Sequence, residues 1–188
     1  MNVGEIITAD CANGIGMRVS VFVSGCTNHC DGCFQPETWD FFYGRAYTDE
    51  MEEFILRELA KPWYDGLSIL GGDPFEPTNQ VGVFCLTARI REEQPGKSIW
   101  IYTGYRYDRD LVPGGRRHIS VTDKILANTD VLVDGPFIAG QKDITLAFRG
   151  SRNQRLIDMR ATRAQGHIVE YSIRSDAERI EHGTTRSR

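Results

Sequence analysis

Two apolar periods alternate along this chain, and that alternation limits what it can fold into. Residues 18–24 (RVSVFVS), 66–70 (GLSIL), 98–103 (SIWIYT) and 130–134 (DVLVD) are short β-branched or aromatic runs that read as strands. Between them the period lengthens. Residues 49–59 predict an amphipathic helix with Met51, Phe54, Ile55 and Leu59 on one face, a cap at Thr48 or Asp49, and a stop enforced by Pro62. Residues 78–91 predict a second helix, with Val81, Phe84, Cys85 and Ala88 along one side, and residues 122–127 a short third. Strand, loop, helix, strand is the order of parallel βα units. Four or five units are too few for a closed eight-stranded barrel, which needs roughly 250 residues. The expected fold is therefore α/β, a partial, open βα barrel with mostly parallel strands. Beyond Gly150 the pattern weakens: residues 156–159 and 167–172 read as short strands, and residues 174–188 as a polar, mobile tail. The domain reading is residues 1–163 as one unit and 164–188 as a polar C-terminal extension.

Every loop that follows a predicted strand carries chemistry or glycine. In parallel α/β folds such loops gather at the carboxyl ends of the strands, where ligands bind. The first holds Cys26, Cys30 and Cys33 with spacing C-x3-C-x2-C and no fourth cysteine nearby. Closed zinc sites take four ligands and iron–sulfur clusters are held by four thiolates. Three close thiolates leave one metal position open to a group that is not protein. The spacing alone leaves two readings: a cluster with an open corner, or a zinc site completed by His29, Cys11 or Cys85. The second loop is Gly71-Gly72-Asp73-Pro74, the third Thr103-Gly104, the fourth Asp134-Gly135.

Charge and cysteine usage narrow the class. The chain has 188 residues, 40% hydrophobic and 26% charged, enough for one domain with a real core. A net charge of -4 implies no direct nucleic-acid binding. Five cysteines, three of them bunched, argue against a secreted disulfide framework and for a reducing, cytoplasmic setting. Residues 1–10 do not read as a signal peptide, and no apolar run approaches the roughly 20 residues of a membrane span.

With CTNHCDGCF on the page, the loop resembles the cluster motif of the radical S-adenosylmethionine (SAM) enzymes. Asn13-Gly14-x-Gly16-x-Arg18, Thr38-Trp39, GGDP, WIYTGY, VLVDGPF and RGSRNQR occur around it in order. That series resembles the family of activating proteins of anaerobic (class III) ribonucleoside-triphosphate reductase, over roughly residues 1–160. The resemblance implies the radical SAM form of the open barrel, one [4Fe-4S] cluster on Cys26, Cys30 and Cys33, and SAM on the fourth iron. A low-potential electron would cleave SAM to methionine and a 5′-deoxyadenosyl radical, which makes a glycyl radical on the reductase catalytic subunit. The activity implied is that of a glycyl-radical-enzyme activating oxidoreductase, with an electron donor such as flavodoxin. It places Gly71, Gly72 and Asp73 at the SAM methionine moiety, and Gly32, Cys33 and Phe34 at the adenine. Thr103 is placed at the ribose or carboxylate; for Phe34 the alternative is core packing. Relatives that carry an Asp–x–Lys sequence near SAM differ here, because Pro136 stands two residues after Asp134; Asp134 reads instead as a turn cap. Residues Arg149, Arg152, Arg155, Arg160 and Arg163 form a basic stretch, expected as a solvated face, a docking edge for the reductase or a partner for the SAM carboxylate. The motif order after Asp134 argues against activation of another glycyl-radical enzyme and against 7-carboxy-7-deazaguanine synthesis.

Overall fold

A computed structural model describes residues 1–173; the expected polar tail, residues 174–188, lies outside the described residues. Seven strands form one open sheet: β1 (Asn2–Asp10), β2 (Arg18–Val23), β3 (Arg45–Ala46), β4 (Gly66–Gly71), β5 (Ser98–Tyr102), β6 (Val131–Asp134) and β7 (Arg155–Asp158). Their order across the sheet is β3-β1-β2-β4-β5-β6-β7. The pairs β2/β4, β4/β5 and β5/β6 are parallel, as the strand–helix alternation predicts. The flanking pairs β1/β2, β1/β3 and β6/β7 are antiparallel. Four helices complete the described fold: α1 (Asp49–Leu59), α2 (Pro77–Glu93), α3 (Thr122–Asn128) and α4 (Met159–Gln165). No helix among the described residues is long and apolar enough to cross a membrane.

Register sorts the two faces of the sheet. Val21, Ile69, Ile101, Leu132 and Ile157 sit side by side across five strands, and all are fully buried. They share one core with Ile55 and Leu59 of α1, Val83, Leu86 and Ile90 of α2, and Ile125 of α3. Each such side chain contributes roughly 1.5–3 kcal/mol of apolar burial. One residue along, the row Ser20, Ser68, Trp100, Val131 faces the other way. There Arg18 is fully buried without a carboxylate at hydrogen-bond distance. Its guanidinium donates to Ser68 Oγ (2.7 Å), Ser98 Oγ (2.9 Å) and the carbonyls of Ile15, Leu67 and Ser98, and lies over the Trp100 ring at 5.4 Å. Burial lowers it to about 10, so it stays a cation at neutral pH.

Local signals explain most of the helices. Thr48 caps α1, its Oγ1 accepting the Met51 N–H at 3.3 Å, and Asp49, Glu50 and Glu52 suit the positive end of the helix. Pro77 opens α2 at a position where its missing N–H is no loss. The expected apolar face of α2 is corrected. Val81 and Cys85 are exposed, and the buried side carries Asn79, Gln80, Val83, Leu86, Thr87 and Ile90. The physical reason is hydrogen bonding. Asn79 Nδ2 donates to the carbonyls of Ser24 and Asp73, both at 2.9 Å, and Gln80 Nε2 to those of Phe75 (2.9 Å) and Arg117 (2.7 Å). Satisfying those loop carbonyls outweighs the simple apolar periodicity. The chain near residue 159 is corrected too. Asp158 ends β7 and caps α4, accepting Ala161 N–H at 2.8 Å, and left-handed Gly166 closes that helix. Residues 167–172 supply one isolated bridge, Ile157 to Glu170, rather than a strand.

Candidate metal centre and adjoining cavity

β2 runs straight into the cysteine loop, and the loop is pinned before the first cysteine. Gly25 N donates to Thr38 O (2.8 Å) and Cys26 N to Trp39 O (3.2 Å), on the short helical turn Pro36–Trp39. Two left-handed residues, His29 and Gly32, bend the loop, and Cys33 N closes a turn onto Cys30 O at 3.1 Å. At Gly32 an added Cβ would meet nothing closer than 3.5 Å, so conformation rather than space calls for glycine. At Gly72 the reason reverses: a Cβ would lie 2.5 Å from Gly25 O and 2.8 Å from Thr38 O. Only glycine lets the end of β4 lie against the cysteine loop, where Gly72 N reaches Val23 O at 2.6 Å and Asp73 N reaches Gly25 O at 2.8 Å.

The four strand-end loops converge as expected. Cys26, Cys30, Cys33, Gly32, Phe34, Gly71, Gly72, Asp73, Thr103 and Gly135 all line one cavity of about 540 Å³. That is within the roughly 300–1,000 Å³ typical of small-molecule sites. Phe34 is 81% exposed, which decides against its packing in the core. Burial and then the charge of Asp73 push the Cys26 thiol up to about 12, and burial raises Cys30. A bound metal reverses this, since a coordinating thiol is deprotonated outright.

The donor set fits an iron–sulfur cluster, since all three thiols line one cavity with room beside them for a ligand that is not protein. None of the alternative fourth ligands, His29, Cys11 or Cys85, lines the cavity. His29 is exposed and stacks on Trp39 at 4.7 Å, and both other cysteines are exposed. Among the described residues no three His, Cys, Asp or Glu side chains are gathered for a single ion. Cys11→Ser and Cys85→Ala are accordingly expected to leave iron and sulfide content unchanged and stability within about 0.5 kcal/mol. Iron analysis after anaerobic reconstitution and a urea titration check this; loss of iron in either variant assigns a fourth protein ligand.

Asp73 is the knot of the site. Fully buried, it accepts Phe75 N (2.9 Å), Gly104 N (2.8 Å), Thr103 Oγ1 (2.8 Å) and Asn28 Nδ2 (3.2 Å). It therefore ties the ends of β4 and β5 to the cysteine loop. Burial pushes its carboxyl up to about 7 against the pull of these donors. The proton of the Thr103 hydroxyl is given to Asp73, and its oxygen accepts Tyr105 N at 3.1 Å.

Asp134 is corrected from a turn cap to an ion-pair partner. It is fully buried and accepts Arg155 Nε (2.8 Å), Arg155 Nη2 (2.5 Å) and Tyr107 N (2.8 Å). The five arginines of the basic stretch take five different places. Arg149 lines the cavity, Nη1 on Gln154 O at 3.0 Å and a buried Nε without a protein partner. Arg152 pairs with Asp143, Arg155 with Asp134 and Asp108, Arg163 donates to the carbonyls of Leu126 and Thr129, and Arg160 borders a second cavity of about 300 Å³.

Sequence reasoning missed Glu76. It stands at the N-cap position of α2 but makes no capping bond. Its carboxylate accepts Thr27 N (2.8 Å) and Thr27 Oγ1 (2.7 Å), on the residue next to Cys26, and the Tyr105 hydroxyl (2.5 Å). An acidic residue immediately ahead of a proline-started helix was the available signal, and capping was its obvious use.

Comparison with known proteins gives a consistent answer. Residues 12–157 match the family model described as a 4Fe-4S single cluster domain. An anaerobic ribonucleoside-triphosphate reductase-activating protein of Escherichia coli (strain K12) is 40% identical over 156 residues, covering 82% of this chain and 96% of that protein. The chain belongs to the activating-protein family. The identically named protein of Vibrio cholerae matches at 40% over 156 residues, covering 82% of this chain and 96% of its own length. That of Enterobacteria phage T4 matches at 33% over 158 residues, covering 83% and 93%. The matched residues 12–157 of this member of the activating-protein family take in all three of the thiols that line the cavity.

Proposed function

We propose that the chain is a radical SAM activase, which reductively cleaves SAM at a [4Fe-4S] cluster and generates a glycyl radical on the catalytic subunit of anaerobic ribonucleoside-triphosphate reductase. One observation carries the reading: the three-thiol loop, the Gly-Gly-Asp turn and Thr103 line a single cavity of small-molecule size. Family membership supports it, through the names of the relatives. The open sheet, with its parallel centre and site loops at the carboxyl ends of strands, suits the radical SAM form of the partial barrel. Residues 1–163 are read as the activase domain, residues 164–188 as an extension, and the cytoplasm as the setting.

Cys26, Cys30 and Cys33 would hold three irons of the cluster, which when bound would supply the electron for reductive cleavage of the SAM sulfonium. The rest is positioning by the chain. Gly71 and Gly72 offer unhindered backbone groups to the methionine ammonium. Gly32, Cys33 and Phe34 form the adenine wall. Asp73 and Thr103, bonded to each other, hold the turn in place beneath the methionine moiety. Arg149 and Lys142 are the cationic side chains lining the cavity, and Arg149 keeps a buried donor free for the SAM carboxylate.

A hydrogen bond to a charged group contributes about 1.5–3 kcal/mol. Arg149→Ala is therefore expected to weaken SAM binding at least about tenfold. Calorimetry on the anaerobically reconstituted protein checks it, with 5′-methylthioadenosine, which lacks the carboxylate, bound equally by both proteins. Undiminished SAM affinity would move the carboxylate to another group. The activity itself is tested by mixing the chain anaerobically with its cognate reductase, reductant and SAM. A glycyl-radical doublet in the electron paramagnetic resonance spectrum is expected; a colourless protein with stoichiometric zinc and no doublet sinks the proposal.

A further inference from the structure

The cysteine loop has a second flank. Thr27, next to Cys26, is absent from the cavity lining, as are Glu76, Tyr105, Arg116 and Arg117. On this side the Tyr105 hydroxyl and Thr27 Oγ1 lie 3.0 Å apart, and both donate to Glu76. Arg117 Nη2 donates to Thr27 Oγ1 at 2.5 Å, and its guanidinium lies over the Tyr105 ring at 4.6 Å. Arg116 covers the same ring at 4.9 Å.

Above this contact the surface is built from arginines. The side chains of Arg109 and Arg116 are 64% and 57% exposed, and the carboxylate they share, Asp110, is 3% exposed. Arg117 is likewise set against buried Glu76, at 3.5 Å. The Arg109 and Arg116 guanidiniums thus face solvent with their counter-charge beneath, and Arg117, 20% exposed, packs against the Tyr105–Thr27 contact. Arg106 adds a fourth guanidinium; Asp108, shared between Arg106 and Arg155, and Asp123, paired with His118 next to Arg117, are exposed acids here. The patch stands on a chain of net charge -4. A basic face on an acidic protein selects an acidic partner and steers its approach.

Reductive cleavage of a sulfonium consumes one electron from outside the chain. From the Arg109–Arg116–Arg117 face we infer a docking surface for a small acidic one-electron carrier, serving the cluster through residues that do not line the cavity. The inference rests on the activase reading. The carrier is oxidised by one electron at the Tyr105–Thr27 contact, beside Cys26, and that electron is consumed when the carbon–sulfur bond breaks. The cavity side, with its exposed Phe34, stays free for the protein whose glycine is to be oxidised.

The test uses the reconstituted protein and a flavodoxin as the acidic probe. The wild type is expected to bind flavodoxin at low salt and to lose at least about tenfold in affinity on moving from about 20 to about 200 mM salt. Arg109→Gln with Arg116→Gln should weaken the low-salt affinity at least about tenfold. SAM cleavage driven by dithionite, a reductant that needs no docking, should be unchanged in the variant, while flavodoxin-driven cleavage falls in step with affinity. Unaltered flavodoxin binding by the variant overturns the inference. So does selective loss of affinity for the reductase, which would give the face to the substrate protein. If the double variant does not fold, the wild-type salt series decides, and salt-independent binding overturns the inference. Absence of dithionite-driven cleavage in the wild type fails the activase reading instead, and the titration judges the surface separately.

Discussion

Cys26→Ala, Cys30→Ala and Cys33→Ala are each expected to leave anaerobic reconstitution without the cluster's visible absorbance and without SAM cleavage under dithionite. The effect should be complete rather than graded. Two thiolates cannot hold the three irons assigned to protein, and the candidate substitutes His29, Cys11 and Cys85 all lie off the cavity. Seen as packing alone, the three changes should differ. Cys26 is buried whereas Cys30 and Cys33 are half-buried, so a structural role predicts a loss of stability confined largely to Cys26→Ala. Equal loss of iron in all three variants, with unequal changes in urea stability, separates ligation from packing. Cleavage retained by any one of them refutes the ligand set.

The largest effect on folding is expected at Arg155. Its guanidinium makes two bonds to the fully buried Asp134 and reaches Asp108 at the surface. Hydrogen bonding to Asp134 holds the guanidinium proton more tightly than usual. Arg155→Met removes the cation and leaves a carboxylate buried with only the Tyr107 N–H for company. Removing one partner of a buried pair costs about 3–5 kcal/mol. Against a total stability of about 5–15 kcal/mol, that is a large share. Replacing both partners, Asp134→Asn with Arg155→Met, should recover most of it, because no uncompensated charge remains. Urea titration of the wild type, the single variant and the double variant measures this. A single variant within about 1 kcal/mol of the wild type would mean that Asp134 is compensated elsewhere.

The parallel centre was legible because its signals are local and redundant. β2, β4, β5 and β6 are dense in β-branched residues, each ends in a glycine-bearing or cysteine-bearing loop, and helices separate them. The convergence of those loops followed from topology alone. β7 was read one residue off, at residues 156–159, but the β3–β1 edge was not legible. β1 carries Gly4, Glu5 and Asp10 among its apolar residues, which blurs the alternation, and its pairing is set by neighbours remote from its own pattern. The face of α2 was misread because periodicity counts apolar residues, whereas Asn79 and Gln80 are drawn inward by loop carbonyls. Thr103 and Asp134 could be singled out as polar groups at strand ends. Their partners, Asp73 and Arg155, are long-range, and no local rule reads such a pairing.

Glu76 leaves the start of α2 without a side-chain cap in order to grip Thr27. The shape of the cysteine loop is thereby set by protein groups: Glu76 on one side, Gly25 bonded to Thr38 on another, and Asp73 behind. The loop that carries the three cysteines is thus anchored to α2, to the turn at Pro36–Trp39 and to the end of β4, so a substitution at Glu76, Thr38 or Asp73 would act on its shape without touching a thiol.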